Sequence, residues 1–127
     1  MFGKKKKELP AGTRLMHYDG LPGFPTDVAC FMEQTADALI FRQVDGPTAT
    51  LPLEKVTELE IMEERNFAAK YRGTGTNTSK SNAVKWYAVF SYDGNKRLMF
   101  WFLGVKEIKV FYDLQKNLTR AVQNYTL

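Results

Sequence analysis

The C-terminal stretch Lys96–Leu127, KRLMFWFLGVKEIKVFYDLQKNLTRAVQNYTL, decides the fold. Its first part, up to Gly104, is a dense apolar run that predicts a β-strand. The rest predicts a helix, because apolar side chains recur at steps of three and four and so share one stripe. That stripe comprises Ile108, Phe111, Leu114, Leu118 and Val122. A helix with one apolar stripe must bury it, so the preceding residues are expected to form a concave apolar surface, including Leu98, Phe100 and Phe102.

The preceding residues predict mainly β-structure. Short apolar or alternating runs are separated by turn signals such as Asp93-Gly94-Asn95. Strands are predicted at 13–18, 28–33, 38–43, 48–53, 56–63, 83–92 and 96–103. A helix over Pro52–Glu64 is an alternative to the fifth strand, and residues 65–82 predict a long loop. About seven strands joined by turns favour an antiparallel barrel or sandwich, closed by the C-terminal helix.

Two short motifs give this pattern a family resemblance. They are Tyr18-Asp19-Gly20-Leu21-Pro22, after the first strand, and Leu51-Pro52-Leu53-Glu54-Lys55-Val56, near the middle. With the strand count and closing helix, the chain resembles the small bacterial pleckstrin-homology-like (PH-like) domains. The resemblance implies a PH-like domain over residues 12–127, preceded by a basic flexible tail, residues 1–11. The closing helix lacks the tryptophan that many eukaryotic PH domains carry there, so eukaryotic ligand specificity does not transfer.

Charge and cysteine content restrict the function classes. The net charge is +4, but four of the 18 basic residues are Lys4–Lys7. Residues 9–127 then carry 14 basic and 13 acidic side chains, so the excess lies in the tail and nucleic-acid binding is not expected. Cys30 is the only cysteine, which excludes an internal disulfide. No apolar run follows the N-terminal lysines as in a secretory signal, so we expect a cytoplasmic protein, with the inner membrane face as a second location.

No residue pattern predicts catalysis, a cofactor or a metal site. His17 and Cys30 could form a nucleophile pair only with an orienting group, and both fall in apolar strands where such residues are usually buried and satisfied. The loop 73–81 carries a Lys-Ser pair, but a phosphate loop requires glycine before that lysine and Ser79 stands there. Basic residues at 65–85 are consistent with an anion-contacting patch or with a soluble loop. We therefore expect a non-enzymatic interaction module.

A contact surface is predicted on the outer face of the 83–92 and 96–103 hairpin. Tyr87, Val89, Met99 and Trp101 alternate with the cleaner apolar set and should be neighbours on the outside. A contiguous patch with Trp and Tyr often marks a contact with a protein partner or a second copy of the chain. The alternative is that residues 65–82 fold over this patch within the same chain.

Peripheral membrane binding is the alternative function. Phe2 and Lys4, Lys5, Lys6 and Lys7 could contact an anionic bilayer weakly. The PH-like resemblance places a lipid headgroup at three loops, here 19–27, 45–47 and 93–95. These contain Asp19, Asp27, Asp45 and Asp93 but no lysine or arginine, so specific phosphoinositide binding is not expected.

Overall fold

The computed structural model describes residues 12–44, 46–72 and 84–122, with side chains except at 72 and 119–122. Seven β-strands and a long C-terminal helix confirm the mainly β class. The strands are β1 (Thr13–Asp19), β2 (Val28–Gln34), β3 (Ala38–Arg42), β4 (Thr48–Pro52), β5 (Val56–Glu63), β6 (Trp86–Tyr92) and β7 (Lys96–Phe102). The helices are α1 (Glu64–Phe67) and α2 (Val105–Val122). Residues 56–63 are thus a strand, not the alternative helix. Within the described parts of the chain, no helix is both long and apolar enough to cross a membrane.

All seven strands belong to one antiparallel sheet in the order β4-β3-β2-β1-β7-β6-β5. Its two edge strands, β4 and β5, are consecutive in the sequence, and only a 3-10 turn at Leu53–Lys55 joins them. Seven flat strands would place the edges about 29 Å apart, at about 4.8 Å per neighbouring pair. The connection reaches at most about 15 Å, because each Cα–Cα step is about 3.8 Å. The sheet therefore curls until its edges converge at this corner, although the two edge strands do not pair.

The concave side of the sheet contains the main core. Ala88 pairs with Phe100 and Phe90 with Leu98 across the β6–β7 hairpin, and all four side chains are buried. From the other half of the sheet, Phe41 stacks on Phe100 with ring centroids 4.8 Å apart. The inward face predicted from alternation is confirmed from Trp86 onward and along β7, whereas Val84 of the predicted strand 83–92 precedes β6 and is exposed.

Helix α2 packs its stripe into the open side of the curled sheet. Phe111 is fully buried, and its ring lies 5.1 Å from that of Phe102 and 6.0 Å from that of Phe90. Leu114 and Leu118 are also buried, and Ile108 is half-buried. The predicted burial of the helical stripe is confirmed for these residues, while the Val122 side chain lies outside the described part.

A polar contact of α2 completes one edge of the sheet. Gln115 donates a hydrogen bond from its side-chain Nε2 to the Leu59 carbonyl of β5, at 2.6 Å. Because β5 has a strand neighbour on one side only, this bond satisfies an edge carbonyl that β6 does not reach. The helix thus both fills the core and covers part of the β5 edge.

The prediction of a long loop over residues 65–82 is wrong for residues 65–72, which are helical. Helix α1 is followed by a π-helical turn at Ala68–Arg72. Phe67 and Tyr71 are four residues apart and therefore point to the same side of this helical segment. Phe67 is fully buried and Tyr71 half-buried against the sheet, and this packing stabilises the helical conformation. The remainder of the expected loop, residues 73–82, lies outside the described part, as does residue 83.

Replacing Phe111 with alanine should lower the free energy of unfolding by about 3–5 kcal/mol, because it opens a cavity between α2 and the sheet. Urea unfolding followed by circular dichroism measures this. Tyr112→Ala is the matched control, since Tyr112 is 43% exposed on the same helix, and its cost should stay within about 0.5 kcal/mol. Equal costs for the two variants would contradict the packing of α2.

Candidate functional site

The outer face of the β6–β7 hairpin brings together the four residues predicted as a contact surface. Tyr87 lies opposite Trp101 and Val89 lies opposite Met99, so their predicted adjacency is confirmed. Their predicted exposure is wrong for two of them. Tyr87 is 1% exposed and Val89 is 0% exposed, whereas Met99 and Trp101 are half-buried.

The helical segment at residues 64–72 covers this part of the outer face. Phe67 is fully buried and stacks on Tyr87 with ring centroids 3.8 Å apart and planes inclined by 7°. Tyr18 of β1 meets both rings edge-on, at 5.3 Å from Phe67 and 5.6 Å from Tyr87. Offset and edge-on aromatic pairs add about 0.5–1.5 kcal/mol beyond area burial. The chain therefore satisfies Tyr87 internally, as in the alternative raised from the sequence.

Polar contacts hold the far end of the covering segment. Glu60 on β5 accepts hydrogen bonds from the Lys70 ammonium and the Tyr71 hydroxyl. The Arg97 guanidinium lies 5.5 Å from the centre of the Tyr71 ring. Burial alone would raise the pKa of Glu60, but the hydrogen bonds from Lys70 and Tyr71 and the nearby positive charges lower it below its ordinary value. Glu60 is therefore held as a carboxylate that ties the covering segment to the sheet.

Trp101 is the aromatic residue of the predicted surface that keeps an accessible side. Its indole Nε1 donates a hydrogen bond to the Asp27 carboxylate at 2.8 Å. The Lys85 ammonium lies 4.4 Å from a Trp101 ring centre, within the range of a cation–π contact. Met16 of β1 is its cross-strand neighbour. These contacts fix the orientation of a half-exposed indole beside an apolar neighbour.

The buried side chain of His17 holds the loop that carries Asp27. The ring Nε2 accepts a hydrogen bond from the Leu21 N–H at 3.1 Å, so Nδ1 carries the proton and donates to the Pro25 carbonyl at 3.0 Å. The His17 carbonyl also accepts the Asp27 N–H at 2.6 Å. Gly20, at φ 110°, lies where a Cβ would collide with the Arg97 carbonyl. The motif after β1 thus sets the loop that orients Trp101 through Asp27.

Neither residue considered for nucleophilic catalysis has the environment that such a role requires. Cys30 is fully buried, and burial raises the pKa of its thiol to about 12. Both ring nitrogens of His17 are engaged by backbone groups. Within residues 12–44, 46–72 and 84–122, no three His, Cys, Asp or Glu side chains converge as metal ligands would.

In the loops that the PH-like resemblance assigns to a headgroup, two of the aspartates are already engaged by other groups of the chain. Asp93 lies near two cations, because the Lys55 and Lys96 ammonium groups are each 3.9 Å from its carboxylate. Asp27 binds Trp101, and Asp45 lies outside the described residues. The absence of specific phosphoinositide binding stays a prediction.

Several sequence-predicted residues are either engaged elsewhere or undescribed. Lys70 contacts Glu60 and Lys85 lies over Trp101, so these two members of the basic group at 65–85 contact protein groups. The predicted membrane contacts, Phe2 and Lys4–Lys7, lie outside the described residues. Glu60 and Phe67 were not predicted as site residues. The four-residue spacing of Phe67 and Tyr71 was the available signal for a packed segment.

Glu60 should make stability depend on pH. Its pKa is lower in the folded than in the unfolded state, so its stabilising effect is complete above the unfolded pKa, about 4.3, and is lost as pH falls through the folded pKa. Glu60→Gln should therefore be destabilising at pH 7, and its difference from the wild type should shrink below about pH 4. Urea unfolding at several pH values measures this.

The control for that series is Glu58→Gln, since Glu58 is exposed on the same strand. Its difference from the wild type should be small at pH 7. A Glu60→Gln difference that stays constant from pH 7 to pH 3 would contradict an ionised Glu60 tie.

Comparisons with known proteins identify no family for this chain. No family model, no curated protein and no solved structure matches the chain.

Proposed function

We propose that the chain is a non-enzymatic interaction module of PH-like architecture that binds a protein partner through the outer surface around Trp101. The antiparallel strands, their order and the long C-terminal helix support the architecture. The motif Tyr18–Pro22, which positions the loop beside Trp101, supports it further. Cys30 and His17 serve packing and loop structure, which favours binding over catalysis as the role of this domain.

The half-exposed, oriented indole of Trp101 is the observation that carries this proposal. In protein–protein interfaces a few side chains contribute most of the binding free energy, and these are enriched in tryptophan, tyrosine and arginine. A side chain already held by Asp27 and Lys85 loses little conformational entropy when a partner binds. Met16 and Met99 extend the surface as flexible apolar neighbours.

Charge around Trp101 favours an acidic partner over a second copy of the chain. Lys85 lies over the indole, and Arg97 and Arg14 are exposed on the neighbouring stretches of β7 and β1. In the described part of the chain, these three cations outnumber the two carboxylates nearby, those of Asp27 on the indole and Asp19 opposite Met99. A symmetric contact would bring this same cationic surface against itself. We therefore propose a partner segment that presents carboxylates around an apolar side chain.

Trp101→Ala should abolish retention of such a partner from a cell extract, while Tyr112→Ala should leave it unchanged. Tyr112 is an exposed aromatic on α2, so it controls for nonspecific adhesion. Immobilised wild type and both variants, compared by quantitative mass spectrometry, identify proteins that depend on Trp101 alone. Lys85→Glu should weaken retention of the same protein through charge reversal.

Size-exclusion chromatography with light scattering measures the oligomeric state and so distinguishes partner binding from self-association. The proposal predicts a monomer for the wild type and for Trp101→Ala. An oligomer that Trp101→Ala dissociates would replace the partner proposal with self-association. Equal retention of every captured protein by both alanine variants would overturn the role of Trp101.

Membrane binding by the N-terminal tail is a second candidate function. Phe2 beside Lys4–Lys7 combines an apolar residue with four positive charges, and each lysine contributes about 1 kcal/mol near an anionic surface. This candidate would place the chain at the inner membrane face. It uses the tail and not the loop residues Asp19, Asp27 and Asp93.

Vesicles of anionic phosphatidylserine with phosphatidylcholine should bind the chain weakly in low salt, and physiological salt should reduce that binding. Replacing Lys4–Lys7 with glutamine should remove the binding, whereas Lys55→Gln and Lys96→Gln should not. Co-sedimentation at matched lipid concentrations measures this. Binding that survives the tail substitutions, or that selects one phosphoinositide, would contradict the tail mechanism.

A further inference from the structure

A cleft of about 640 Å³ lies at the corner that follows β4, beside Leu118 of α2. Its lining includes Thr50, Pro52, Leu53, Glu54 and Leu118, together with Asp37 from the turn between β2 and β3. The corner is the place where the two sheet edges converge without pairing. The cleft is thus a direct product of the curled fold and is separate from the surface around Trp101.

The cleft combines an apolar interior with an acidic rim. Pro52, Leu53 and Leu118 supply the apolar surface, and the side chains of Asp37 and Glu54 are exposed at the rim. Among the described residues that line it, none is basic. This arrangement complements a segment with an apolar side chain beside several cations.

The neighbouring edge of β4 also offers free backbone groups. Gln43 donates to the Pro47 carbonyl and Leu53 to the Asp37 carbonyl, so these residue pairs are hydrogen-bonded pairs. Pairs alternate along an antiparallel ladder, which directs the N–H and C=O groups of Thr50 away from β3. The backbone of Pro52 also faces away from β3, but Pro52 has no N–H to offer there. An extended segment can therefore contact both the cleft and the β4 edge.

We propose that the N-terminal tail of the same chain docks in this cleft, with Phe2 against Leu53 and Leu118 and with Lys4–Lys7 beside Asp37 and Glu54. The tail supplies the required chemistry, because MFGKKKK places one aromatic side chain before four lysines. The body of the chain is nearly neutral, so these lysines meet little long-range repulsion.

The position at which β1 begins makes the docking possible. Thr13 pairs with Met32, two residues before the end of β2, so the chain enters the sheet near the turn that carries Asp37. Three strand spacings, about 14 Å, separate β1 from β4. The five to eight residues from Lys4–Lys7 to Gly12 span up to about 17–27 Å when extended. The lysines therefore reach the cleft without any change in the sheet.

Docking of the tail is separate from partner binding and does not depend on Trp101. A docked tail presents to Asp37 and Glu54 the same lysines that a bilayer would attract. The cleft and an anionic surface then compete for one segment.

A spin label on the tail of the full chain tests the docking. The nitroxide is attached at Gly3→Cys, since the buried thiol of Cys30 is inaccessible to the reagent. In low salt the label should broaden the methyl signals of Leu53 and Leu118 in NMR spectra. The double variant Asp37→Asn/Glu54→Gln should reduce the bound population about threefold to tenfold, as expected for two exposed charge pairs.

Asp113→Asn is the matched control, because it removes one exposed carboxylate from α2 that does not line the cleft. It should leave the broadening unchanged. Broadening centred elsewhere, its absence, or its persistence in the double variant would overturn the proposal. So would broadening of an isotope-labelled chain by a separate spin-labelled chain, since that would show docking between copies.

Discussion

The three-residue connection Leu53–Lys55 between the two edge strands constrains the whole molecule. A sheet whose first and last strands are joined so closely cannot remain flat. It curls, and the curl gives the concave surface into which α2 inserts Phe111, Leu114 and Leu118. Gln115 then satisfies a carbonyl of β5, so the helix stabilises both the core and one edge of the sheet.

A second layer of packing lies on the convex side of the same hairpin. Tyr87 and Val89 are covered by the segment at 64–72, so β6 is buried on both faces. Among the described residues, which stop at Arg72 and resume at Val84, the cover extends as far as Tyr71, where Glu60 holds it, and Trp101 is half-exposed beside the β1–β2 loop. The surface available to a partner is therefore smaller than the apolar face of the hairpin and is centred on one oriented indole.

The sequence predicted the elements whose burial has a regular period. Helix α2 and the β6–β7 hairpin carry uninterrupted stripes, and both appear where their periodicity places them. Burial on both faces of β6 was not predictable from alternation, because Lys85 and Ser91 indicate an outer face that is nonetheless partly covered. Phe67 and Tyr71 provide too short a pattern to indicate a helical segment next to polar residues.

The candidate site was predicted only in part for the same reason. Alternation placed Trp101 and Met99 correctly on the outside, but their partners depend on contacts between distant parts of the chain. Asp27 reaches Trp101 across 74 positions of sequence, and its own placement depends on the hydrogen bonds of His17. Such contacts follow from the curl of the sheet and leave no local signal in the residues involved.

The contact between Phe67 and Tyr87 decides whether the chain covers its own outer face and leaves Trp101 as the accessible aromatic residue of that face. Nuclear Overhauser effects between these two rings, measured in the monomeric chain, report it directly. Strong cross-peaks are expected within one molecule, because the two ring centroids are 3.8 Å apart. Cross-peaks from Tyr87 to a second copy, or a Tyr87 ring in contact with solvent, would contradict it.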